Sequence, residues 1–135
     1  MSREIIVHSL DHARAALAAA AALGTPARLA SAPGAGAYGG PAWFKALIEA
    51  ASAAYPGVGL TAIIDCGEEA GTALAALRLG LKHIRFSGPE AARTKLAELA
   101  RAQGAALEEG EPDTVLDLSD VRDPDASCRA FLAAG

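Results

Sequence analysis

With 135 residues and a formal net charge of -4, the chain is long enough for one domain with its own core and too short for two ordinary ones. Its 12 Lys and Arg are scattered rather than clustered, which argues against nucleic acid or an anionic membrane as partner. The longest apolar stretches are alanine-rich and cut by Arg14, Arg28 or glycine. None is therefore a bilayer span, no basic-then-apolar signal sequence opens the chain, and a soluble cytoplasmic protein is expected. Two cysteines far apart in sequence make no disulfide framework, which fits a reducing compartment.

The apolar run Glu4 to His8 predicts a first strand, and Ser9 caps a helix from Leu10 to Leu23 that Gly24 stops. Ala27 to Ala32 reads as a second strand, followed by a glycine-rich loop over 33–40. Pro41 then opens a helix with Phe44, Leu47, Ile48, Ala51 and Tyr55 in one stripe. Leu60 to Ile64 is continuously apolar, as a strand covered on both faces is. A helix aligning Ala70, Leu74 and Leu77 leads to a short strand, His83 to Phe86. A helix opened by Pro89-Glu90, with Ala92, Leu96 and Leu99 on one side, ends at Gly104. Ala105 to Glu109 and Thr114 to Leu118 are further strands, and Pro124 opens a last helix with Cys128, Phe131 and Leu132 inward. Repeated βα units with short connections demand a parallel sheet with right-handed crossovers. The expected fold is therefore α/β, a single domain over 1–135.

Working residues in such units sit just past the carboxyl ends of strands, and there the chain places Asp65-Cys66-Gly67 and Ser87-Gly88-Pro89. Asp65 is a candidate general acid or base, and Cys66 a candidate nucleophile, redox thiol or metal ligand. A helix N-terminus just downstream favours thiolate, while Asp65, Glu68 and Glu69 oppose it. The competing reading is a capping Asp beside a small buried thiol. Gly34-x-Gly36-x-x-Gly39 formally matches a dinucleotide fingerprint. However, it follows the second strand rather than the first, and the next strand-end acid lies more than about 20 residues on, so a connecting or site-forming loop is the preferred reading. His8 and His12 flank a strand-to-helix turn beside Asp11, where a shared metal competes with capping and solvated roles. His83 and Arg85 stand at period two and so face the same side. Glu108, Glu109 and Glu111 are an acidic cluster near a strand end, and Asp117 and Asp120 receive no role.

In order and spacing, these features resemble the amino-terminal half of the class II, zinc-dependent fructose-1,6-bisphosphate and tagatose-bisphosphate aldolases. The resemblance rests on Thr25-Pro26 and Ser31 with Gly34-Ala35 and Tyr38, and on Pro56 to Leu60 leading into Ile64-Asp65-Cys66-Gly67. It continues through Leu77 to Gly80 with His83 to Pro89, Thr94-Lys95 through Gly104 to Leu107-Glu108, and Asp123 to Ala126 with Phe131-Leu132. It implies a half TIM-barrel of about five βα units, either curved or flattened to an open doubly wound sheet. It also implies that Asp65 exchanges a proton with a sugar hydroxyl, and that Cys66 stands where the family has a zinc-ligating histidine.

Ser87 stands where the family has Asp, Pro89 where it has Ser, and Gly110 where it has a second Glu. The family's other zinc histidines and its phosphate loops lie in the barrel half that the resemblance does not cover. Lys45, Lys82 and Lys95 are expected to be exposed, leaving no Schiff-base lysine. The expectation is a module without standalone aldolase activity and without a cofactor. It would bind a small phosphorylated or polyol ligand, or a protein partner, through Ser31, Gly34, Asp65, Ser87, Gly88 and Glu108, as a homodimer. The alternative is a zinc-dependent lyase whose metal ligands are supplied across that dimer by Cys66 with His8, His12 or Glu108.

Overall fold

Local chemistry sets the helix boundaries. The computed structural model describes residues 3–134, except the side chains of Ala37 and Tyr38. Strand β1 is Arg3–Ile6 and helix α1 is Leu10–Leu23. The Ser9 side chain accepts the His12 N–H at the start of α1, and Gly24, at φ 64°, returns its own N–H to the carbonyls of Ala20 and Ala21 at the end. Strand β2 is Ala27–Ala30. Within the glycine-rich stretch a single helical turn, α2 (Ala35–Tyr38), forms where only a loop is expected from sequence, and Pro41 opens α3 (Pro41–Ser52). The rest follows as β3 (Leu60–Asp65), α4 (Ala70–Arg78), β4 (His83–Arg85), α5 (Glu90–Ala102), β5 (Ala106–Leu107), β6 (Thr114–Asp117), a 3-10 turn (Leu118–Asp120) and α6 (Pro124–Ala133).

The architecture is α/β. Six strands form one sheet in the order β5-β4-β3-β2-β1-β6, parallel in each registered pair. The chain divides into two compact units: one of Met1–Ala30, Leu47–Thr61 and Glu111–Gly135, the other of Ser31–Ala46 and Ala62–Gly110.

In the first unit, β1 lies between β2 and β6, with Ile5 opposite both Leu29 and Leu116. Ile5, Val7 and Leu29 are buried, as are Ala13, Ala16, Leu17 and Ala20 at i, i+3, i+4 and i+7 of α1. Alanines on that stripe let α1 approach α6, whose Cys128 is buried. The alternate residues Glu4 and Arg28 face each other across β1 and β2 and form an ion pair at 3.7 Å.

The second unit runs β3, α4, β4, α5, β5 in one spatial direction. Right-handed crossovers then place α4 and α5 on the same face of these three strands. Under those helices lie Ile64, Cys66, Ile84, Phe86 and Leu107, all buried. The strand period of two puts Ile63, Asp65, His83, Arg85 and Glu108 on the other face. Of the expected inward leucines of α5, Leu96 is 5% exposed but Leu99 is 44% exposed. Ala100 takes the inward position instead, an outcome that alanine-rich patterning conceals.

One glycine in this unit is required sterically. A Cβ on Gly88 would lie 2.3 Å from the Phe86 ring, which is buried and has no room to retreat. Gly88→Ala is expected to cost about 1–3 kcal/mol of overpacking. In urea denaturation this would appear as a lower midpoint with an unchanged slope.

Candidate functional site

Strand β3 ends by delivering Asp65 to the face that the crossover helices leave uncovered. Asp65 Oδ1 accepts two backbone N–H groups, from Gly67 at 2.9 Å and Gly34 at 3.1 Å. The first closes an Asx turn two residues on, and the second ties down the loop that precedes α2. Both glycines are left-handed, at φ 56° and 72°, a region that side chains rarely enter. A Cβ on Gly67 would already touch Gly34 Cα at 3.5 Å, so the two loops close around the carboxylate. Asp65 is 9% exposed, and its Oδ2 has no hydrogen-bond partner among the described residues. One oxygen is thus structural, and the other is an acceptor held in a fixed direction.

Ser31 supports this arrangement from beneath. It is buried, its Oγ accepts the Asp65 N–H at 2.9 Å, and its own N–H goes to Ile63 O at 3.0 Å. Its hydroxyl therefore positions the end of β3. The Ser87 side chain is exposed, and its N–H donates to Gly67 O at 2.8 Å, linking the β4 loop to the turn after Asp65. Gly88 follows on that loop against Phe86. Glu108 pairs with His83, Oε2 to Nδ1 at 3.3 Å. Being past the end of β5, it lies two strands from Asp65, about 10 Å away on the same face. Ser31, Gly34 and Asp65 thus form one cluster, Ser87 and Gly88 border it, and Glu108 belongs to a neighbouring pair. The backbone of Tyr38, the tyrosine of the resemblance, lies in α2, and its side chain falls outside the described residues.

Cys66 is next to Asp65 in sequence but faces the opposite way. It is 0% exposed beneath α4 and α5, and burial, then the charge of Asp65, push its thiol up to about 12. A zinc ligand or nucleophile must be thiolate, and this environment keeps the proton on. Cys128 is likewise buried, and burial followed by the charge of Asp125 raises its thiol to about 11. Among the described residues no group of three or more His, Cys, Asp or Glu is placed to hold a metal ion.

Two partners of the site receive no role from the sequence. Gly67 contributes through its amide, for which the only sequence signal is the Asp-x-Gly spacing. Arg93 reaches from α5 to Phe86 O at 2.8 Å, just before Ser87, while its other nitrogen lies 3.4 Å from Glu109.

In the first unit, His8 and His12 meet each other and an unexpected third residue. His8 Nε2 lies 2.7 Å from Asp117 Oδ1, and the His8 backbone N–H donates to His12 Nδ1 at 3.0 Å. Burial first, then the charge of His8, lower the His12 pKa from 6.5, with Asp117 and Asp11 opposing. The unfolded chain therefore takes up this proton before the folded one does as pH falls. The stabilisation from neutral His12 is complete above about pH 6.5 and is lost on acidification through that value toward the lowered one. His12→Gln is expected to flatten the decline in Tm between about pH 7.5 and about pH 5.5 relative to wild type, as read by thermal unfolding.

No protein-family model matches the chain, and no curated protein sequence matches it significantly. No described helix is long and apolar enough to cross a membrane. Among solved structures, the chain is similar to a crystal structure assigned as a fructose-1,6-bisphosphate aldolase from Coccidioides immitis, with a TM-score of 0.62 and 20% identity. The match covers 78% of this chain and 44% of that one, so this chain corresponds to less than half of the aldolase's length. At that identity the likeness establishes the fold alone: the α/β architecture is aldolase-like.

Proposed function

We propose that the chain is an aldolase-fold binding module, without aldolase activity of its own, whose second unit takes a small hydroxylated or phosphorylated ligand at Asp65. The observation that carries this reading is the divided carboxylate: Oδ1 fixed by Gly34 and Gly67, Oδ2 uncommitted on the uncovered face. A ligand hydroxyl donates to Oδ2 in a charge-assisted hydrogen bond, the stronger class of such bonds. Arg85, the register partner of Asp65 on β4, lies on the same face. Ser87 and Gly88 form the border of this region.

The alternative, a zinc-dependent lyase with Cys66 as ligand, has the burial and raised pKa of that thiol against it. Calorimetry with glycerol 3-phosphate, and with glycerol as the uncharged control, tests the reading. Saturable heat with the phosphate that is lost in Asp65→Asn supports it, and equal binding by the two proteins would overturn it. Aldol cleavage of a ketohexose bisphosphate by the purified chain would contradict the non-catalytic part.

A further inference from the structure

The side chains of His8, His12 and Asp117 come together in the first unit from the β1–α1 turn, the first turn of α1 and the end of β6. Their hydrogen bonds decide where the protons are. Ser119 N–H at 2.9 Å and His8 Nε2 at 2.7 Å both converge on Asp117 Oδ1. Burial acts to raise the Asp117 pKa, but the hydrogen bonds from Ser119 and His8 outweigh it and hold the group below its usual 3.8. Asp117 is therefore a carboxylate that can only accept, so His8 Nε2 carries a proton and, in neutral His8, the lone pair sits on Nδ1. The reverse holds for His12. Its Nδ1 accepts the His8 amide N–H, so its remaining proton is on Nε2. Neither His8 Nδ1 nor His12 Nε2 has a hydrogen-bond partner among the described residues, and neither is sealed from solvent.

The rings stand edge to face with centroids 5.8 Å apart. The pair thus offers one base backed by a carboxylate and one neutral donor beside it. Metal binding through both rings does not fit, because His12 has no second lone pair to give.

We propose that His8 and His12 form a proton-transfer site for a small carbonyl compound, with His8 as general base, His12 as hydrogen-bond donor and Asp117 as the positioning residue. A base next to a neutral donor is the pairing that enolisation requires. The C–H bond alpha to the carbonyl breaks, and its proton goes to His8 Nδ1. Its electron pair forms the enolate double bond, and the carbonyl π pair moves to oxygen, which accepts the His12 Nε2–H. Return of a proton from His8 to carbon restores the carbonyl, with no net oxidation and no co-reactant. Asp11 is the other charged group of this turn, and its charge favours protonated His12, opposing the neutral donor.

The test is exchange of the alpha protons of hydroxyacetone in deuterium oxide, followed by proton NMR, with free imidazole at equal concentration as reference. Wild type is expected to exceed imidazole by more than about tenfold. His8→Gln should fall to the imidazole level, and His12→Gln should fall several-fold. Asp117→Asn should lower the rate and shift its pH profile, while amide spectra confirm that each variant is folded. Imidazole nitrogen spectra provide a reading independent of catalysis: both rings should carry their neutral-form proton on Nε2. A wild-type rate no greater than that of imidazole, a His8→Gln rate equal to wild type, or a proton on His8 Nδ1 in the neutral form would each overturn the proposal.

Discussion

Asp65→Ala is expected to destabilise the fold by about 2–3 kcal/mol, although the residue lies at a strand end rather than in the apolar core. The change removes one oxygen that satisfies two amides, Gly34 N–H and Gly67 N–H, in loops so close that a Cβ added to Gly67 would touch Gly34 Cα. Hydrogen bonds to an ionised acceptor are worth more than neutral ones, and donors left unpaired lose their solvation as well. Asp65→Asn retains an oxygen in the Oδ1 position and is expected to recover most of the loss while placing an amide where Oδ2 was. Urea denaturation of the two variants separates the roles. A large loss in Ala that Asn largely rescues supports the anchoring function of Oδ1, and equal stability of wild type and Ala would refute it.

The largest kinetic effect is expected at Cys66. With its pKa pushed up to about 12, the native thiol at about pH 8 should react with iodoacetamide roughly a thousandfold more slowly than free cysteine, and at the ordinary rate once denaturant exposes it. The folded value lies above the ordinary 9.0, so the stabilisation of the protonated thiol is complete below about pH 9 and is lost as pH rises beyond it. Cys66→Ala should lack this alkaline loss. Native-state alkylation at the free-thiol rate would mean that Cys66 is exposed and active, and would reopen the zinc reading.

Local signals were readable in the sequence and long-range ones were not. Helix α1 has the bounds its punctuation predicts, Leu10 to Leu23, because Ser9 and Gly24 act on their own neighbours. Strand β3 and the position of Asp65 at its end follow from one apolar run and one polar turn. The placement of β6 beside β1 depends on a pairing between residues more than a hundred apart, which no pattern within either strand announces. For the same reason Asp117, left without a role from sequence, proves to be the partner of His8. On α5, the small volume of alanine hides which side faces inward, and Leu99 is exposed where the pattern suggests burial.

The site shows the same division. Asp65 and Cys66 look like one reactive pair in sequence, yet strand alternation sends them to opposite faces of the sheet, Cys66 beneath the helices. That alternation is itself legible, but which face the helices cover depends on the direction of strand order, which is a property of the whole sheet. The partnership of Asp65 with Gly34, across 31 positions, could not be read at all.

The most direct measurement is an amide-resolved NMR titration of wild type and Asp65→Asn with glycerol 3-phosphate. The proposed binding role predicts saturable shifts at Gly34 and Gly67, the two amides that share Asp65 Oδ1, with affinity at least about tenfold weaker in the variant. Shifts absent from these amides in wild type, or identical titrations of the two proteins, would contradict it.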